Sequence, residues 1–257
     1  MLVTVIVGFG APCGPRPTRA EQPDDGTDDS RSLGDPASSP DFLPRCVDLL
    51  RDGRHVEARE LLEPAVARHP DWAGAKLYLA LTYNQDQRWE TAKHLFEDVL
   101  RLDPDLRAVH VPYGWCLYYL GRLDAARQSF ETYLETEPDY ADAIFALALI
   151  DFDNDDLTSA GRRFRKVIKL AESEGDATRQ ALARARLADV HVRAGDLKRA
   201  REELTLSIRL DPGNPKAYFK LSRVLQLLGD SGGAEKALGM HAEILARSRV
   251  DERTAEP

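Results

Sequence analysis

A stack of helical hairpins, all-α and repeated along the chain, is the fold that this sequence predicts. Three observations carry the prediction. Several residue types recur together at a spacing of 34, apolar residues inside each period fall at helical intervals, and glycine and proline punctuate each period at fixed points. Gly53, Gly121, Gly195 and Gly229 each stand five residues before an alanine: Ala58, Ala126, Ala200 and Ala234. Ala92 and Ala160 complete the series, with Gln87 and Asp155 in the glycine slot. Four residues after each alanine comes a large apolar residue: Leu62, Phe96, Phe130, Phe164, Leu204 and Leu238. Eight further on, Pro70, Pro104, Pro138 and Pro212 close four of the six periods. One step is 40 residues, where Gly175 to Gln180 are inserted.

Each element of the period has a physical reason. Asp71, Asp105, Asp139 and Asn214 lie beside the proline punctuation and are expected to cap the first helices, and Pro215 suits a first helical position. Leu77, Leu79 and Tyr83, then Leu117 and Leu120, supply the apolar face of such helices. Pro112 falls inside the third of them, removing one backbone bond. A kink is expected there, or a helix start near residue 109. The glycine then reaches the left-handed conformation that ends a helix. On the second helix the alanine lets its backbone approach a neighbour, and the large residue one turn later fills the space alongside. Proline stops that helix. The inserted "EGDATRQ" leads into good helix formers from Ala177, so the fifth first helix is expected to be longer by about a turn or two.

The segments "ETAKHLFEDVLRLDPD" and "LGRLDAARQSFETYLETEPDYADA", with A-x-x-x-F…P at this period, resemble the tetratricopeptide repeat. The resemblance implies a right-handed α-solenoid of helix–turn–helix hairpins. Six units are placed, at 39–72, 73–106, 107–140, 141–174, 181–214 and 215–248. Unit one lacks the usual aromatics in its first helix and unit six lacks the closing proline, as suits terminal units with one uncovered face. Residues 14–38, rich in Pro, Gly, Asp and Ser, read as a disordered linker, and 249–257 as a polar tail.

The chain has 257 residues, 43% apolar and 30% charged, with a net charge of −8, which argues against generic nucleic-acid binding. Cys13, Cys46 and Cys116 show neither a C-x-x-C nor a disulfide framework. The opening "MLVTVIVGFGAPCGPRP" mimics a strand and dinucleotide loop, but Pro12, Pro15 and Pro17 stand where the phosphate-binding helix should begin. Two readings of residues 1–13 stay open: an export or anchor segment with Cys13 as the lipid acceptor, or an inert N-terminus. Envelope and cytoplasmic locations are open with them. "DFDNDD" at 151–156 mimics a calcium loop but has Asp156 at the required glycine and Arg162 at the bidentate glutamate, so no metal site is expected. His55, His69, His94, His110, His191 and His241 are scattered over different units. No catalytic residue and no cofactor are expected.

The resemblance also implies that the first helices line a concave groove, presenting the second, fifth, sixth, ninth, twelfth and thirteenth residues of each unit. Those positions hold Tyr78, Leu81, Trp115, Tyr118, Tyr119, Phe145 and Phe152 in units two to four, and Arg186, Arg193, Lys216, Phe219, Lys220 and Arg223 in units five and six. An aromatic middle beside a basic end suits a partner segment with apolar and acidic groups. The carboxylate clamp of chaperone-tail binders is absent, its positions being Leu43, Val47 and Tyr78. The expected function is a non-catalytic adaptor binding another protein or peptide. The alternative is an envelope-located assembly factor, secreted or lipidated.

Overall fold

A computed structural model describes residues 35–255, and among them it contains twelve α-helices and no strand. They run α1 (Phe42–Arg51), α2 (His55–Arg68), α3 (Ala73–Gln85), α4 (Trp89–Leu102), α5 (His110–Tyr119), α6 (Leu123–Leu134), α7 (Ala141–Asp153), α8 (Leu157–Glu174), α9 (Ala177–Arg193), α10 (Leu197–Leu210), α11 (Pro215–Leu227) and α12 (Ser231–Ala255). Two compact units divide between Pro138 and Asp139. In the first, α1–α2, α3–α4 and α5–α6 are hairpins packed in succession. In the second, α7–α8, α9–α10 and α11–α12 repeat the arrangement.

All six hairpins turn alike. The slot residue has positive φ throughout: 79° at Gly53, 59° at Gln87, 72° at Gly121, 61° at Asp155, 79° at Gly195 and 82° at Gly229. The N–H of the next residue reaches back to the carbonyl five residues earlier, as in Arg54 to Leu49 and Arg122 to Leu117, both 2.9 Å, and Asp156 to Asp151 at 2.8 Å. This is the Schellman closure, which satisfies carbonyls otherwise orphaned at a helix end. Gln87 and Asp155 adopt it at a steric cost that glycine avoids.

The small and large positions of the second helices meet the core. Ala58, Ala92, Ala126, Ala160 and Ala200 are wholly buried, as are Leu62, Phe96, Phe130, Phe164 and Leu204. Phe130 lies so close to α5 that a Cβ on Gly114 would come within 2.8 Å of its ring. Ala234 and Leu238 of the last hairpin depart from the series: Ala234 is half-buried and Leu238 is 48% exposed, with Ala237 buried instead. No further hairpin among the described residues covers that side.

Helix ends bring several corrections. Of the expected caps only Asn214 acts, accepting from Lys216 N at 3.1 Å. The cap positions of α3 and α7 are Trp72 and Tyr140, so Asp71 and Asp139 fall one residue too early. Asp105 is separated from α5 by a 3-10 turn at Arg107–Val109. That turn ends where Pro112 requires: α5 starts at His110, which puts the proline in the first turn, where no intrahelical N–H is needed. The insertion is shared by two helices. α8 has no proline at 172 to stop it and runs on to Glu174, where Gly175 closes it at φ 71°. Asp176 then caps α9 through Arg179 N at 2.8 Å.

At the two ends, structure extends into segments read as linker and tail. Pro36–Ser38 forms a 3-10 turn capped by Asp35, whose carboxylate also meets His69. α12 continues to Ala255, since neither glycine nor proline interrupts residues 240–256. Residues 1–34, including the segment ending at Cys13 and most of the linker, lie outside the described residues.

Candidate functional site

In the first unit the candidate side chains form one aromatic cluster on α5, joined by a residue from the second helix before it. Trp115 is 5% exposed and meets Phe130 edge-on with ring centroids 5.6 Å apart, so it fills the hairpin interior and is not open to a partner. Tyr118 is half-buried and packs edge-on against both Trp115 and Tyr119. Tyr119 is the open member, 41% exposed, stacked on Trp89 at 4.6 Å and nearly parallel to Trp115 at 6.1 Å. Trp89 begins α4 and so escapes a rule that reads first helices only. Its carbonyl also accepts from Cys116 Sγ at 3.1 Å. Tyr78 is half-buried against the core of this unit, and that burial pushes its phenol pKa up.

In the second unit Phe145 is 7% exposed, edge-on to Phe164 at 5.4 Å, and like Trp115 belongs to the interior. Arg193 is committed to the end of α7. Its guanidinium lies 3.8 Å over the Phe152 ring, donates to Phe152 O at 2.6 Å and stands 3.5 Å from Asp155. Asp151, in a register position held elsewhere by Tyr83 and Leu117, is buried and paired with Arg163 of α8. A lone charge there would be costly, and the pairing offsets it.

α9 and α11 bring the remaining cations together. Lys220 Nζ lies 2.6 Å from Asp189 Oδ2, and Arg186 reaches the same oxygen at 3.6 Å. Burial lowers the Lys220 pKa, with Asp189 opposing the shift and Arg186 and Lys216 adding to it. Lys216 and Arg223 are exposed, and no ion pair is recorded for either among the described residues. Phe219 is 43% exposed, Val192 38% and Leu227 64%. The register that assigns Arg186 and Arg193 to this face also assigns Asp189 and Val192, so the neutralising carboxylate was legible from position alone. That it sits on Lys220, 31 residues away, was not. Among the described residues no cluster of side chains could hold a metal ion.

The match with known proteins follows the hairpin register. One family model described as tetratricopeptide repeat matches residues 49–110 and 83–150, and a second with the same description matches 145–215 and 185–242. The chain belongs to the tetratricopeptide repeat family. Proteins of this family are typically non-catalytic interaction scaffolds. Among curated relatives, the array is 30% identical over 191 residues to cellulose synthase operon protein C of Xanthomonas axonopodis pv. citri, covering 70% of this chain and 12% of that protein. It is 31% identical over 109 residues to the CTR9 homolog of Arabidopsis thaliana, covering 42% of this chain and 10% of that one. The chain thus spans about a tenth of the length of these relatives.

Solved structures agree in fold. The APC/C hetero-tetramer Cut9–Hcn1 matches with a TM-score of 0.68 at 16% identity, over 84% of this chain and 42% of that one. PilF of Pseudomonas aeruginosa matches at 0.62 and 19%, over 76% and 86%. YrrB, a TPR protein whose structure is described as having an unusual peptide-binding site, matches at 0.52 and 16%, over 71% and 91%.

Proposed function

We propose that this protein is a non-catalytic adaptor that holds a segment of a partner protein against the first helices of its hairpins. The observation that carries the reading is where its large apolar side chains stand open. Tyr119 of α5, Val192 of α9 and Phe219 and Leu227 of α11 are all more than a third exposed at positions that the repeat register assigns to the inner face, whereas on the second helices of the first five hairpins only Val56 and Leu206 are as open, the rest lying on α12 of the last hairpin. Exposing such side chains costs solvation free energy unless a partner covers them. Aromatic and arginine anchors supply much of the energy in protein interfaces.

The test uses a partner captured by cross-linking from the host and identified, followed by binding kinetics. Tyr119→Ala and Phe219→Ala are the informative variants, because their open rings can be removed without emptying the interior. Each is expected to weaken binding by about 1–2 kcal/mol, with melting close to that of the parent. Retention of full binding by both, with loss on substitution of second-helix surface residues, would place the partner on the other wall and overturn the reading. The second reading, a secreted or lipid-anchored assembly factor, rests on residues 2–11 and Cys13. Mass spectrometry of the N-terminus from the native host decides it.

A further inference from the structure

We infer that Asp189 is a resident stand-in for a carboxylate of the partner, and that the α9–α11 face is built for an acidic segment carrying apolar side chains. The inference rests on the adaptor reading above and specifies its ligand. Lys216, Lys220, Arg223 and Leu227 follow one another on α11 at four-, three- and four-residue steps, which keeps them on one stripe of the helix, with Phe219 alongside. Arg186 reaches that stripe from α9 by sharing Asp189 Oδ2 with Lys220. Of these four cations, Lys220 and Arg186 share the one carboxylate of Asp189, and Lys216 and Arg223 stand exposed on the same stripe.

The charge left over is positive, and it stands beside apolar surface that is also left open. Lys220 shows what an incoming carboxylate would find. Its ammonium is half-buried, which lowers its pKa, and Asp189 at 2.6 Å is the favourable contact that opposes the shift. Lys216 and Arg223, further along the same stripe, have no such partner of their own. An acidic segment can satisfy them while laying an aliphatic or aromatic side chain on Phe219 and Leu227. A basic segment would add like charge to the stripe and would be rejected. Asp189 makes the site selective in a second way: it competes with the ligand for Lys220 and Arg186, so only a segment with enough negative charge to outweigh it gains from binding. Removing that competitor while keeping its shape should strengthen binding by more than removing a carboxylate that pairs elsewhere on α9 and α10.

The probe is a fluorescein-labelled nonapeptide of glutamates interrupted by leucines, measured by anisotropy on the full chain. Matched peptides with lysine or serine in place of glutamate serve as controls. The acidic peptide is expected to bind, more weakly as salt rises, and the lysine peptide not to bind. Lys216→Glu with Arg223→Glu should weaken binding by about tenfold or more, whereas Asp189→Asn should strengthen it by about threefold or more. Circular dichroism and melting of each variant accompany the titrations. If Asp189→Asn lowers the melting temperature enough to obscure the comparison, Glu203, which pairs with Arg184 on the α9–α10 side, supplies the control. Glu203→Gln should leave binding unchanged, and the Asp189→Asn titration is then read below its own transition. Equal binding of the acidic and lysine peptides overturns the inference. So does absence of binding to the acidic peptide, or an Asp189→Asn variant that binds no tighter. None of these results removes the adaptor reading, which falls only if the captured partner is indifferent to Tyr119 and Phe219.

Discussion

The two units solve one problem, the start of a second helix, with opposite charges. The residue after the left-handed turn is Arg54, Arg88 and Arg122 in the first unit, but Asp156, Asp196 and Asp230 in the second. The aspartates are hydrogen-bonded caps: Asp156 accepts from Ser159 N at 3.0 Å, Asp196 from Arg199 N at 3.1 Å and Asp230 from Gly233 N at 2.9 Å. None of the arginines caps. A cation at a helix N-terminus opposes the macrodipole, and the first unit answers by moving its negative charge inward. Glu57, Glu90 and Asp124 stand in the first turns of α2, α4 and α6, whereas α8 and α10 have no acidic residue there. Arg54 pairs with Glu57, Arg122 lies 3.3 Å from Glu90, and Arg88 rests 4.6 Å over the Tyr83 ring. The same backbone thus tolerates two electrostatic solutions. One satisfies orphan N–H groups directly, and the other only balances the field.

The first unit should therefore depend more on its interior and the second more on its caps. The largest expected effect is on the interior: Trp115→Ala removes a buried ring from α5 and should cost about 3–5 kcal/mol in a denaturant titration. A loss below about 1 kcal/mol would mean that the aromatic cluster is not holding the first unit together. Next come the caps. Asp156→Ala and Asp196→Ala should each cost about 1 kcal/mol. Arg122→Asp, which gives the first unit the second unit's solution, should gain a comparable amount. No gain would show that the charges already in its first turns complete the helix start.

A smaller effect belongs to the turns, where both units contain one residue in a conformation that suits glycine. Gln87→Gly and Asp155→Gly should each stabilise by up to about 1 kcal/mol, the relief of the left-handed strain exceeding glycine's entropic penalty. The smallest effect near neutral pH is the alkaline dependence contributed by the two buried thiols of the first unit, Cys46 and Cys116. Burial pushes their thiols up to about 11 and about 12. Both folded and unfolded chains keep these thiols protonated at neutral pH. Above about 8.5 only the unfolded chain loses the protons, so stability is full below that pH and declines through about 11 and 12. Cys46→Ala with Cys116→Ala should flatten the decline. In the parent at pH 8, both thiols should react with a disulfide reagent only as fast as the first unit opens, while amide exchange reports on the second.

How much of this was legible depends on the range of the interaction concerned. The alanine and aromatic positions, the turn slot and the effect of Pro112 can be read because each follows from neighbours within one or two helical turns. The caps were misread for a local reason. Asp71 and Asp139 sit beside proline in the expected way, yet the chain needs one further residue, Trp72 or Tyr140, before helical geometry begins. Asp156, Asp196 and Asp230 were readable, since they always follow the turn slot. The candidate site was legible as a set of positions but not as a set of exposures. Trp115 and Tyr119 share a helix, and only Tyr119 is open.

By itself, then, the sequence determined the fold class, the hairpin register and the turn conformation, because these depend on backbone preferences and periodicities that recur every 34 residues. Tertiary structure alone decided which aromatics were spent on the interior and which cations were paired or left exposed. Phe130 on α6 claims Trp115 of α5, Phe164 on α8 claims Phe145 of α7, and Asp189 on α9 claims Lys220 of α11. In each case the deciding contact joins side chains from different helices. Whether such a contact forms depends on how closely those helices approach, and no spacing along a single helix encodes that distance.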